Sequence, residues 1–250
     1  MNIIANYIRT SFKKNFIVKK NGIFVIFDVL LNYLGLYIFW LGIGNLTNNV
    51  FWQKNFLIFI GYGIIAKQVM NFFIGIKWLE TFILTGKLDI YLLKPYSTIL
   101  LICLDHANFL VIILGLIVGN SILLYNIPVY LYFNLLIGLL LTIISTISIE
   151  LIGVSITLFA FRFGKIQRLK NIVESYKMTI NYPTIFFNGI IYKIFTIIIP
   201  ISYISTIPTL NIFNKLSYMT YIVLILNILI VYILYKILWK RGLEIYDSKN

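Results

Sequence analysis

Long, unbroken apolar runs constrain this chain more than any other feature. They lie near residues 22–46, 55–76, 99–124, 129–160, 178–207 and 216–238. Crossing a hydrocarbon core of about 30 Å takes roughly 20 apolar residues in a helix. The runs are continuous rather than alternating, which points to helices and away from barrel strands. The expected fold is therefore all-α, a polytopic transmembrane helical bundle of about six spans. Composition agrees. With 60% hydrophobic residues, 12% charged residues and a mean hydropathy of +0.94, the chain has too little charge to cover a soluble domain of 250 residues.

A formal net charge of +13 invites a nucleic-acid reading, so the placement of the basic residues matters. With the N-terminus inside, Arg9, Lys13, Lys14, Lys19, Lys20, Lys77, Lys87 and Lys94 fall on the inner side. So do Arg162, Lys165, Arg168, Lys170, Lys177, Lys236, Lys240, Arg241 and Lys249. Lys54 and Lys215 fall in outer loops, and Lys67 and Lys193 within apolar runs. This asymmetry is the positive-inside pattern and predicts cytoplasmic N- and C-termini. The basic charge faces lipid headgroups, and no nucleic-acid partner is expected. Cys103 is the sole cysteine, which excludes a disulfide framework or thiolate metal site within one chain. The first apolar run is too long for a signal-peptide core and has no small-x-small cleavage site, so no cleaved leader is expected.

Residues 1–21 read as an interfacial amphipathic helix, with Ile4, Ile8, Phe12 and Phe16 recurring every four residues. A single transmembrane domain over 22–240 and a cytoplasmic tail over 241–250 follow. The run at 178–207 carries Pro183 and Pro200 and ends at Pro208. It reads as a kinked span, or as an earlier, more polar span followed by a proline-bounded element dipping in from outside. The second reading places Arg168, Lys170 and Glu174 at membrane depth, at about 2.5–3.5 kcal/mol each on insertion scales. Hydropathy alone favours the first.

A Walker A loop needs glycine, four residues, then Gly-Lys-Ser/Thr. Gly86-Lys87 is followed by Leu88, and Thr81 stands where the first glycine belongs. His106 is the sole histidine, and no catalytic or metal-ligating set is built around it. The segment 77–98 carries more information. Leu79, Phe82 and Ile83 at helical spacing lead to a Gly86 stop, Asp89 can cap a second turn, and Pro95 ends it. Two short helices on the cytoplasmic face suit either docking to a partner or simple connection of two spans.

Glu80…Gly86-x-Leu88-Asp89-x-x-Leu92-Leu93-Lys94-Pro95 resembles the inner-loop signature of bacterial ABC transporter permeases of the type-2 exporter class. Tyr182-Pro183, Ile198-Ile199-Pro200 with Pro208, and Trp239-x-x-Gly242-Leu243-x-x-Tyr246 continue the likeness in order. The resemblance implies six membrane helices in a bacterial cell membrane. It also implies a homodimer, or a heterodimer with a second similar permease, and separate ATPase subunits that carry ATP and Mg. This chain then needs no cofactor of its own and is not an enzyme. The resemblance further implies that Glu80, Gly86, Leu88, Asp89, Leu92, Leu93, Lys94 and Pro95 form the ATPase contact or its scaffold. It favours the re-entrant reading of 183–208.

Asp28, Lys67, Asp105, Glu150 and Lys193 remain as ionisable residues in apolar runs, where such groups face protein or a water-filled path. Glu150 is the expected buried partner of Lys67, in an ion pair that fixes helix packing or lines a substrate path. A secondary carrier, or an accessory protein without an ATPase, is the competing class. A carrier should show repeated halves with broken helices, and no such repeat is visible.

Overall fold

The computed structural model describes residues 3–16, 27, 31, 34–39, 42, 50–187 and 189–246. There is no strand among them, and the described residues between 27 and 42 are helical. In chain order the helices are α1 (Ile3–Phe16), α2 (Val50–Phe72), α3 (Leu79–Thr85), α4 (Asp89–Leu92), α5 (Thr98–His106) and α6 (Phe109–Asn126). Then come α7 (Tyr132–Thr157), α8 (Ala160–Phe163), α9 (Gln167–Met178), α10 (Gly189–Lys193), α11 (Thr206–Ile212) and α12 (Tyr218–Glu244). Four helical stretches among the described residues are long and apolar enough to cross a membrane: Lys54–Thr85, Phe109–Asn126, Val129–Phe163 and Tyr218–Glu244.

α2 sits at the centre, packed on α6 and α7. Small residues let these helices approach closely: a methyl added to Gly61 would strike Leu123, one on Gly119 would strike Ile65, and one on Gly115 the Gln68 amide. In a membrane, where burial of apolar side chains gains little, such close packing carries much of the association. The buried face of α7 carries Thr142, Ser145, Thr146 and Ser148. Their hydroxyls avoid orphaned burial by bonding within the bundle. Thr142 Oγ1, for example, donates to Gly138 O at 2.9 Å and Ile204 O at 2.8 Å.

The 99–124 run is not one helix. It breaks at Ala107–Asn108, where the Asn108 side chain accepts from Val111 N and caps α6. α1 is stitched to that break: Ser11 Oγ donates to Ala107 O at 2.6 Å, and Phe12 stacks on Phe109. Arg9 and Lys13 on the other side of α1 stay exposed.

The 178–207 run differs most from a single kinked span. α9 rises from the end of the bundle that holds Glu80, and Ile180 packs beside Ala66 of α2 and Ile149 of α7. Phe186 then reaches Trp52 near the start of α2, so residues 167–187 climb the length of the bundle. From there α10 and a π-helical turn, Ile194–Ile198, dip back. The Ile197 and Ile198 carbonyls accept from Asn227 Nδ2 at 2.8 and 3.0 Å. The chain turns at buried Pro200, and α11 returns to the far end, where Asn211 Nδ2 donates to Asn134 O at 2.8 Å. Residues 167–187 thus run along the bundle, and residues 189–212 form a re-entrant element that turns back on itself at Pro200. Residues preceding the prolines, Tyr182 and Ile199, are extended, as the proline ring requires. Pro208 falls in the first turn of α11, where its missing N–H is harmless.

Candidate functional site

At one end of the bundle, Ile76, Leu79, Ile83, Leu88 and Tyr91 form a buried cluster with Ile102, Ala160 and Ile166. On that cluster sits a knob of two short helices. α3 stops at Gly86, whose φ of 75° lies in the left-handed region that favours glycine. The reversal lets Leu88 N donate to Phe82 O at 3.2 Å and drives Leu88 fully into the core. α4 then presents Ile90 and Leu93 outward, 58% and 86% exposed.

Three attachments hold the knob. Lys94 donates to the Tyr7 hydroxyl of α1 and lies over the Tyr91 ring. Tyr91 Oη donates to Asp105 at 2.8 Å, and burial together with that carboxylate pushes the phenol's pKa up. Tyr246, just beyond α12, packs on Phe161. Burial and the neighbouring Asp89 carboxylate push its phenol up to about 12.

Beneath the knob, Glu80 is buried and clamps the turn before α9. Its two carboxylate oxygens accept from Ile166 N and Lys170 Nζ, both at 2.9 Å. Lys170 opens a polar face on α9 that continues with Glu174 and Lys177, spaced four and three residues apart. Lys77 Nζ lies 3.4 Å from Glu174, and Lys177 Nζ lies 2.7 Å from Glu150 of α7. Of the charges that made an early, polar span look costly, Lys170 and Glu174 are thus matched, and Arg168 is exposed. Between α2, α7 and α9 the same side chains enclose a cavity of about 300 Å³.

A family model described as ABC-2 family transporter protein matches residues 26–250, everything described here except α1. The chain belongs to the ABC-2 transporter family. No curated protein and no solved structure matches it. The family supplies the membrane permease component of ABC transporters, which work with ATPase partners, and this chain is a multi-pass membrane permease of that kind.

In the permease, the motif residues divide by environment. Glu80, Gly86 and Leu88 are scaffold, Leu92 is partly buried against the same cluster, and Asp89 starts α4. Leu93 and Pro95 are exposed, and Lys94 is half-buried. Asp105 belongs to the knob rather than to a spanning helix, because α5 ends before the break at Ala107. Glu150 pairs with Lys177, not with Lys67 as its sequence position suggested, although Lys67 lines the same cavity. Lys193 is exposed at the end of α10, and Asp28 lies outside the described residues. Pro183, Pro200 and Pro208 are buried. Sequence reasoning missed Tyr7, Ile90 and Ile166. Ile90 was within reach, since it shares the outer side of α4 with Leu93, whereas Ile166 contributes through its backbone and leaves no side-chain signal.

Proposed function

We propose that the permease is a membrane subunit of an ATP-driven exporter in the bacterial cytoplasmic membrane, with both termini cytoplasmic. Separate ATPase subunits hold ATP and Mg and dock on the α3–α4 knob, and a second permease, identical or similar, completes the path. The observation that carries this reading is the pairing of exposed Ile90 and Leu93 with a buried, cross-braced scaffold. Large apolar side chains held outward on a rigid mount, at the basic end of the chain, suit the anchors of a protein interface. Glu80 would pass the ATPase stroke from the knob to α9.

The test is co-purification of the permease with its ATPase from cells expressing both. Leu93→Asp changes a side chain that contributes almost nothing to the fold, so expression and melting stay as in the wild type. The expected loss of bound ATPase is about tenfold or more, as for an interface anchor. Undiminished ATPase with Leu93→Asp would overturn the docking assignment. Gradient-driven transport by the permease alone, reconstituted in liposomes, would overturn the ATPase reading in favour of a secondary carrier.

A further inference from the structure

The cavity between α2, α7 and α9 is lined by four lysines and two glutamates; Lys170 is held by Glu80 and Lys67 is exposed, while the others lie in pairs. Glu150 on its floor is matched by Lys177, and Glu174 at its mouth by Lys77. A ligand with a net charge seated on that floor would have to split the Glu150–Lys177 pair and leave one group without its counter-charge, which is strongly unfavourable. A ligand carrying an ammonium beside an anionic group avoids this. It inserts between Glu150 and Lys177, its ammonium on the carboxylate and its anionic group on the lysine, and no charge is left over.

Size and surroundings narrow the class further. About 300 Å³ is at the small end of ligand pockets, room for a headgroup and not for a whole amphiphile. A second, narrow space of about 20 Å³ shares Gly63 and Ile180 with the cavity and runs on between Leu36, Phe59 and Ile60. It holds about one water-sized probe, so it is an apolar seam that must part to admit a chain. At the cavity's edge, beside the exposed Lys77–Glu174 pair, Ile74 and Met178 are 40% and 69% exposed and add apolar surface to the rim.

We propose that this cavity is a loading site for a zwitterionic amphiphile bearing a primary ammonium next to an anionic group, with its chain along the seam towards Leu36. What happens to the ligand afterwards rests on the permease reading; binding does not.

Native mass spectrometry of the full chain in detergent tests it. Short-chain phosphatidylethanolamine, phosphatidylcholine and phosphatidylglycerol with the same acyl chains are offered at equal concentration. The ethanolamine lipid should be retained about tenfold over both others, because only it supplies an N–H donor to Glu150 together with an anion for Lys177. Glu150→Gln/Lys177→Gln, which removes both charges and leaves no unpaired one, should abolish the preference. Lys236→Gln, on the exposed side of α12, should keep it. Equal or better retention of the glycerol lipid would reduce the effect to surface charge and overturn the proposal. So would equal retention of the choline lipid, or a preference that survives in the double variant. The three-lipid comparison on the unaltered chain decides the matter even if the double variant does not fold. Retention is read without any ATPase, so failure of the docking test would leave this result standing, and the reverse.

Discussion

α9 and the re-entrant element that follows it solve the same problem in opposite ways. Both depart from an apolar, continuous helix, and both must satisfy polar groups inside a bundle. Along α9 the partners are full charges: Lys170 on Glu80, Glu174 on Lys77, Lys177 on Glu150. Around the re-entrant element the partners are neutral. Asn227 holds the Ile197 and Ile198 carbonyls and Ser148, Thr184 Oγ1 donates to Ser202 Oγ at 2.8 Å, and Asn211 holds Asn134 O. Charged pairs line a cavity, where water or a ligand can share their desolvation. Neutral amides and hydroxyls serve where the backbone itself is broken, since they satisfy an orphan carbonyl without burying a charge. The first arrangement can be exchanged and the second is fixed.

The contrast breaks first at Glu80. Glu80→Ala leaves Lys170 Nζ and Ile166 N without their acceptor beneath the knob. Removing one partner of a buried ion pair costs about 3–5 kcal/mol, more than either of the other changes considered below. Denaturant titration in detergent measures it, and a loss under about 1 kcal/mol would mean that the clamp is ornamental. Glu80→Gln, which keeps an oxygen for Ile166 N, should recover part of the loss. On the neutral side, Asn227→Ala strips two carbonyls of their donor and Ser148 of its acceptor. About 2 kcal/mol is expected from the groups left unsatisfied, with faster amide exchange concentrated at the Ile194–Ile198 turn. A uniform rise in exchange across α12 as well would show that the re-entrant element does not behave as a separate, fixed unit.

The same contrast explains what could be read from the chain before its fold was known. Apolar length and the sidedness of lysine and arginine are properties of the whole molecule, and the bundle and its basic end were legible from them. The knob was legible because Gly86 and Pro95 punctuate it. The course of α9 was not, because hydropathy scores each residue alone. Lys170 and Glu174 count as penalties until Glu80 and Lys77, which lie together on another segment of the chain, are known to face them. The apolar stretch from Ile190 to Ile207 scores well although its backbone turns at Pro200 instead of forming one continuous helix. For Glu150 the apolar runs offered only Lys67, and Lys177 on α9 takes its place.

The smallest effect sharpens the comparison most. Lys77 and Glu174 are 58% and 46% exposed at the side chain, whereas Lys177 and Glu150 are 19% and 3% exposed. The two pairs use the same chemistry on one helix face and differ in access to solvent. An exposed pair contributes about 0–1 kcal/mol, because water already solvates both ends and salt screens the remainder. A double-mutant cycle on Lys77→Gln and Glu174→Gln should therefore give a coupling of about 0.5 kcal/mol or less that vanishes near 1 M salt. The corresponding cycle on Lys177 and Glu150 should give a larger coupling that salt barely alters. Equal couplings at the two positions, or equal sensitivity to salt, would mean that the cavity floor is as wet as its mouth. A net-charged ligand would then no longer be excluded from that floor, while the assignment of the knob would be untouched.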